Sequence, residues 1–166
     1  MRQELDHDEV SLVIRATPAA LYDLVTDITR TPEFSPNVVR AGWVEGATGP
    51  AVGARFKAYA AARRGRAPSN KPVVTVADPA SEFAFNRTVP LAGTVEWRYQ
   101  FVPENGATRV IESYTVIKPI TTLGWFIIGT LYGETDRKTA LRADMQETLR
   151  RIKAAIESPG SSAATI

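Results

Sequence analysis

The chain has 166 residues, 44% of them apolar and 23% charged, a balance that fits one globular domain large enough to bury a core without covalent staples. It contains no cysteine and a single histidine, His7, which removes disulfides, thiolate metal sites, cysteine nucleophiles and histidine-dependent triads. Twenty basic residues against 18 acidic ones leave a net charge of only +2, so no nucleic-acid partner is implied, and neither a metal nor a cofactor is expected.

The chain opens with MRQELDHDEV, which lacks the apolar run of a signal peptide. Its longest apolar stretch, Leu123 to Tyr132, is too short to cross a hydrocarbon layer of about 30 Å, so a cytoplasmic location is expected. Val10, Leu12 and Ile14 alternate with Ser11, Val13 and Arg15, predicting a first strand from about Glu9 to Ala16. Thr17-Pro18 then supplies a helix cap followed by proline at the first helical position, and Leu21, Leu24 and Val25 follow at helical spacing. Between Arg30 and Pro36 two prolines leave room for at most one more short helix.

From there to Lys118 the pattern is extended, divided by turn-forming stretches at Gly46 to Gly53, Arg63 to Asn70, Asp78-Pro79, Pro90 to Gly93 and Asn105-Gly106. Six further strands are predicted, near residues 38 to 45, 54 to 61, 71 to 77, 82 to 88, 94 to 103 and 107 to 117. Short connections between consecutive strands imply an antiparallel meander. The turn containing Arg63, Arg64 and Arg66, with Lys71 nearby, is the main basic cluster; without interleaved aromatic residues it reads first as a solvated loop, and second as a contact for phosphate or anionic headgroups.

After Pro119 the segment Thr121 to Tyr132 is apolar. Thr135 to Glu157 repeats Leu141, Met145, Leu149, Ile152 and Ile156 every three or four residues, the stripe of a long amphipathic helix. Ser158-Pro159-Gly160 ends that helix, giving one domain over residues 1–157 and an expected disordered tail over 158–166. The stripe must bury itself against a curved sheet, since the chain offers no other surface. The expected class is α+β: a seven-stranded antiparallel sheet gripping a carboxy-terminal helix, with one or two short helices after the first strand.

This order, together with Pro18-Ala19-Ala20-Leu21-Tyr22-Asp23-Leu24-Val25, Val52-Gly53-Ala54-Arg55-Phe56, Trp97-Arg98-Tyr99-Gln100-Phe101-Val102-Pro103, Gly106-Ala107-Thr108-Arg109-Val110 and Leu149-Arg150-Arg151-Ile152-Lys153, resembles the helix-grip fold of the START-like (SRPBCC, Bet v 1-like) superfamily. The likeness is nearest to the polyketide cyclase/dehydrase group of actinobacterial proteins. These are packing and turn features without a shared catalytic signature. The resemblance therefore implies a hydrophobic cavity between sheet and helix and leaves the reaction, if any, open.

Parity places the candidate site. Asn-Gly is a strong type I′ hairpin signal, and with Asn105 and Gly106 at its centre, Phe101 faces Val110, Tyr99 faces Glu112 and Trp97 faces Tyr114. Paired residues share a face, so Trp97, Tyr99, Phe101, Val110, Glu112 and Tyr114 line the interior, while Glu96, Arg98, Gln100, Arg109 and Ser113 face solvent. Phe83, Phe85 and Arg87 join the inner row from the preceding strand, and Met145 from the helix. A buried carboxylate needs a cation or a proton; Arg87, Lys57, Tyr59 or a water are the candidate partners for Glu112. Three functions fit. First comes a carrier or sensor that binds a lipid, polyketide or aromatic metabolite in the cavity. Next is a cyclase or dehydratase using Glu112 as acid and base. Last is a membrane- or protein-interaction module acting through the basic loop and the Leu123 to Tyr132 stretch. Monomer and homodimer both remain open.

Overall fold

The computed structural model describes residues 5–61, 67–90, 93–126 and 136–158. The arginines at 63, 64 and 66, the apolar stretch beyond residue 126 and the tail beyond Ser158 lie outside the described residues. The elements in chain order are β1 (His7–Ile14), α1 (Pro18–Thr26), a 3-10 turn (Ile28–Arg30), α2 (Thr31–Phe34), β2 (Val38–Val44), β3 (Arg55–Ala60), β4 (Ser69–Asn70), β5 (Val73–Asp78), β6 (Glu82–Val89), β7 (Gly93–Glu104) and β8 (Ala107–Lys118). A helical segment, α3, follows at residues 122–126, and the long helix α4 runs over Arg137–Glu157.

All strands belong to one antiparallel sheet in the order β1-β8-β7-β6-β5-β3-β2, with β4 pairing β3. The seven strands expected from periodicity are all present. The two-residue β4 is additional, and two residues are too few to carry a period. The cap of α1 is the one the sequence signals, the Thr17 hydroxyl accepting from the Ala20 N–H at 3.1 Å with proline entering the helix; at α4 the Asp136 carboxylate accepts from the Thr139 N–H at 3.1 Å, so that helix starts just after the expected Thr135.

The sheet has two ends. One is formed by the Asn105-Gly106 hairpin, where both residues take positive φ, 51° and 78°. At the other end β8 finishes at Lys118, β6 turns into β7, β3 finishes at Ala60 and β2 begins at Val38. Helix α4 runs between these ends along the concave face. Near its start, Arg142 pairs with Asp8 of β1 at 2.5 Å. Near its finish, Lys153 Nζ donates to the Val13 carbonyl at 3.3 Å and Glu157 Oε1 accepts from the Arg15 N–H at 2.7 Å.

Burial is graded along the concave face. Toward the hairpin end Ile14, Leu21, Phe101, Val110, Leu149 and Ile152 are sealed in one cluster, and Tyr22 meets Phe101 edge-on with centroids 5.9 Å apart. Toward the opposite end Phe85, Arg87, Val95, Trp97 and Val116 are only half-buried. The interior is thus closed by α1 at one end and more open at the other.

Candidate functional site

The β7–β8 register is the one that Asn105-Gly106 dictates: Phe101 pairs with Val110, Tyr99 with Glu112 and Trp97 with Tyr114. The same row continues into β6, where Phe83 pairs with Tyr99 and Phe85 with Trp97, and into β1, where Val10 pairs with Glu112. Successive strands thereby bring Phe83, Phe85, Trp97, Tyr99, Phe101, Val110, Glu112 and Tyr114 onto one face, and Met145 of α4 is buried in the same core. The outer face carries an ion-pair ladder, with Arg98 between Glu82 and Glu96 and Arg109 on Glu104.

Glu112 is 3% exposed. Its Oε1 accepts a hydrogen bond from the Tyr99 hydroxyl at 3.0 Å, so the partner is the residue directly opposite on β7. Arg87 pairs with Val95, four residues along β6 from Phe83, which separates it from Glu112 by roughly 13 Å at 3.3 Å per residue. Lys57 and Tyr59 alternate with the buried Phe56 and Ala58 and belong to the outer face, where Arg40 stacks 4.1 Å above the Tyr59 ring and the Lys57 ammonium lies 5.1 Å from it. The cations offered by the sequence therefore do not reach the acid. The pairing of Tyr99 opposite Glu112 across the hairpin is the signal in the sequence that could have pointed to this partner.

Without a cation, burial pushes the Glu112 carboxyl up to about 8; the Tyr99 hydrogen bond works against this shift and the charge of Asp144 on α4 adds to it. Glu112 is thus mostly protonated at neutral pH, with one oxygen engaged by Tyr99. Its other oxygen, Oε2, is buried and has no hydrogen-bond partner, and the same is true of the Tyr114 hydroxyl two residues on. The Tyr114 ring lies 5.7 Å from that of Trp97. Burial pushes the Tyr99 phenol well above its ordinary value, and that of Tyr114 is raised for the same reason. Both tyrosines accordingly stay neutral donors. Among the described residues no group of three His, Cys, Asp or Glu side chains could hold a metal ion.

Two surface hollows are lined by residues other than Tyr99, Glu112 and Tyr114, the second of them reaching Val10, the β1 residue paired with Glu112. One, of about 520 Å³, is formed by the loop from Glu45 to Arg55. The other, of about 880 Å³, lies between β1 and α4, against Ser11, Arg109, Arg142 and Gln146.

An antiparallel sheet curved around a long terminal helix, with short helices after the first strand, is the Bet v 1-like helix-grip fold. Residues 8–157 match the family described as polyketide cyclase / dehydrase and lipid transport, and the chain belongs to that family. A search of curated proteins by sequence finds no match. Among solved structures, the chain resembles the di-domain aromatase/cyclase StfQ of the steffimycin biosynthetic pathway with a TM-score of 0.72 at 19% identity, over 93% of this chain and 51% of that one. It thus spans about half the length of that relative. A Polyketide_cyc-like protein from Corynebacterium glutamicum aligns with a TM-score of 0.62 at 28% identity, over 96% of both chains. The Zhui aromatase/cyclase from a Streptomyces species aligns with a TM-score of 0.67 at 13% identity, over 96% of this chain and 98% of that one. Among the described residues, no helix is long and apolar enough to cross a membrane.

Proposed function

We propose that the protein binds a small, largely apolar molecule carrying a carbonyl or ether oxygen, as carrier or sensor, with the ligand entering from the open end of the concave face. The observation that carries this reading is the pair of buried, unpartnered oxygens, Glu112 Oε2 and Tyr114 Oη, on successive inward positions of β8. At neutral pH the first carries a proton and the second is a phenol, so both can donate. A buried donor left unsatisfied costs about 1–3 kcal/mol, which a ligand acceptor would recover. The half-buried Phe85, Trp97, Val95 and Val116 supply an apolar wall beside them. Polycyclic ketones of the polyketide type match that combination, and two of the similar structures are described as aromatase/cyclases.

A second reading is favoured by the position of the Glu112 equilibrium. A carboxyl poised at about 8 can give and take a proton near neutral pH, as cyclisation or dehydration would require, with Tyr99 or Tyr114 donating to the developing enolate oxygen.

Two variants separate the readings when binding of a hydroxyanthraquinone is followed by tryptophan fluorescence. Glu112→Gln keeps a donor in place and should bind within about threefold of the wild type, whereas Glu112→Leu removes it and should bind about tenfold more weakly, the worth of one hydrogen bond. Unchanged affinity in Glu112→Leu, or no binding by the wild type, would refute the binding site. Turnover present in the wild type and lost in Glu112→Gln would establish the enzymatic reading.

A further inference from the structure

The open end of the sheet is also where the chain exposes its apolar side chains. Val39 at the start of β2, Val89 at the end of β6, Ile117 near the end of β8 and Leu123 on α3 all face solvent, with Leu123 51% and Ile117 48% exposed. Phe126, one helical turn beyond Leu123, is exposed on the same side of α3. Among the described residues, the other large exposed apolar side chains are Val52, in the β2–β3 loop, and Val102, beside the Asn105-Gly106 hairpin.

Positive charge accompanies this rim. Arg40 and Lys57 flank Tyr59 on the β2–β3 side and Lys118 closes β8, and among the described residues none of the three pairs with a carboxylate. The acids nearby are engaged: Asp8 holds Arg142, Asp136 caps α4, and Asp144 accepts from Asn37 at 2.6 Å. Asp6 lies beside β8, its carbonyl accepting from the Val116 N–H at 2.7 Å, so it adjoins Lys118 and is far from Arg40 and Lys57, which are left as the uncompensated pair across the sheet on β2 and β3.

An apolar rim bordered by uncompensated cations complements a surface that is apolar within and anionic at its boundary. We propose that this end of the molecule docks reversibly on an anionic lipid bilayer, with Leu123, Ile117 and Val89 entering the headgroup region and Arg40, Lys57 and Lys118 facing anionic headgroups. The half-buried interior residues Val95, Trp97 and Val116 open toward the same end, so docking would place the mouth of the concave face against the lipid. Apolar insertion and electrostatic attraction each give weak binding; together they give a reversible peripheral contact. The proposal concerns the ligand-free surface and does not depend on occupancy of the interior.

The test is co-sedimentation of the full chain with vesicles of phosphatidylcholine alone and of phosphatidylcholine with a third phosphatidylserine, at low and high salt. Binding is expected only to the anionic vesicles, and should fall as salt rises. The double variant Arg40→Ala with Lys57→Ala should weaken it by about fivefold for each cation removed. Leu123→Glu with Ile117→Glu, both exposed positions where folding is not at stake, should lower it by at least tenfold with unchanged circular dichroism. Equal binding to neutral and anionic vesicles, no binding to either, or full binding by the Leu123/Ile117 variant would overturn the proposal. So would a wild-type dimer in light scattering that the same variant dissolves without any vesicle binding, since the rim would then be a contact between copies.

Discussion

Replacing Glu112 by glutamine tests the central electrostatic feature directly, because the change keeps the shape and removes only the capacity to ionise. An acid whose folded value is raised from 4.5 to about 8 retains its proton in the folded state over a range where the unfolded chain has lost it. The folded state therefore binds more protons between those values, and stability falls as pH rises through that window. Below about pH 4.5 both states are protonated and the penalty vanishes; above about pH 8 it is complete. At about 1.4 kcal/mol per unit, the wild type should lose on the order of 4 kcal/mol between pH 5 and pH 9 from this group alone, as an upper bound set by a fully buried site. Urea unfolding followed by tryptophan fluorescence measures it. Subtracting the glutamine variant cancels every other titrating group, so the difference in unfolding free energy should widen with pH in favour of the variant. A difference that is the same at pH 5 and pH 9 would mean that Glu112 ionises as a solvated acid, and the inward hairpin face would have to be abandoned.

Tyr99→Phe removes the hydroxyl that donates to Glu112 at 3.0 Å. Because that bond favours the ionised acid, its loss should move the Glu112 midpoint above about 8 and cost about 1–2 kcal/mol near pH 9, read by carbon-13 NMR of the labelled carboxyl; an unmoved midpoint would exclude the contact. Gly93 begins β7 at φ 92°, and a Cβ there would lie 2.2 Å from the Lys118 carbonyl oxygen and 2.9 Å from that of Pro119. Gly93→Ala should therefore cost roughly 2–3 kcal/mol and lower the melting temperature by roughly 4–12 °C in calorimetry. A melt within a degree of the wild type would count against the close approach of β8 to this position.

The hairpin was legible because two independent constraints agreed. Asn105 and Gly106 need positive φ, which fixes the turn, and the turn fixes parity, which separates Trp97, Tyr99 and Phe101 from Arg98 and Gln100. The long helix was legible from its stripe, although it starts at Arg137 after the Asp136 cap rather than at Thr135. The first strand extends back to His7, two residues before the expected start at Glu9. There the pairing is polar, with His7 Nδ1 and Thr115 Oγ1 2.9 Å apart. Periodicity follows burial and is blind to such contacts. What the sequence could not supply was distance: Arg87 shares a face with Glu112, yet several residues of strand lie between them. The partner is instead a neutral tyrosine, Tyr99, paired directly opposite, where the reasoning that a buried carboxylate needs a cation does not point.

The fastening of α4 to β1 has a further consequence. The Val13 carbonyl and the Arg15 N–H point away from β8, along the free margin of the sheet, where another extended chain could add itself. Lys153 and Glu157 occupy those two groups, so the last turns of the helix act as a guard against intermolecular strand addition. A chain cut short before Lys153 would keep most of its buried stripe while exposing a strand margin able to recruit a second molecule.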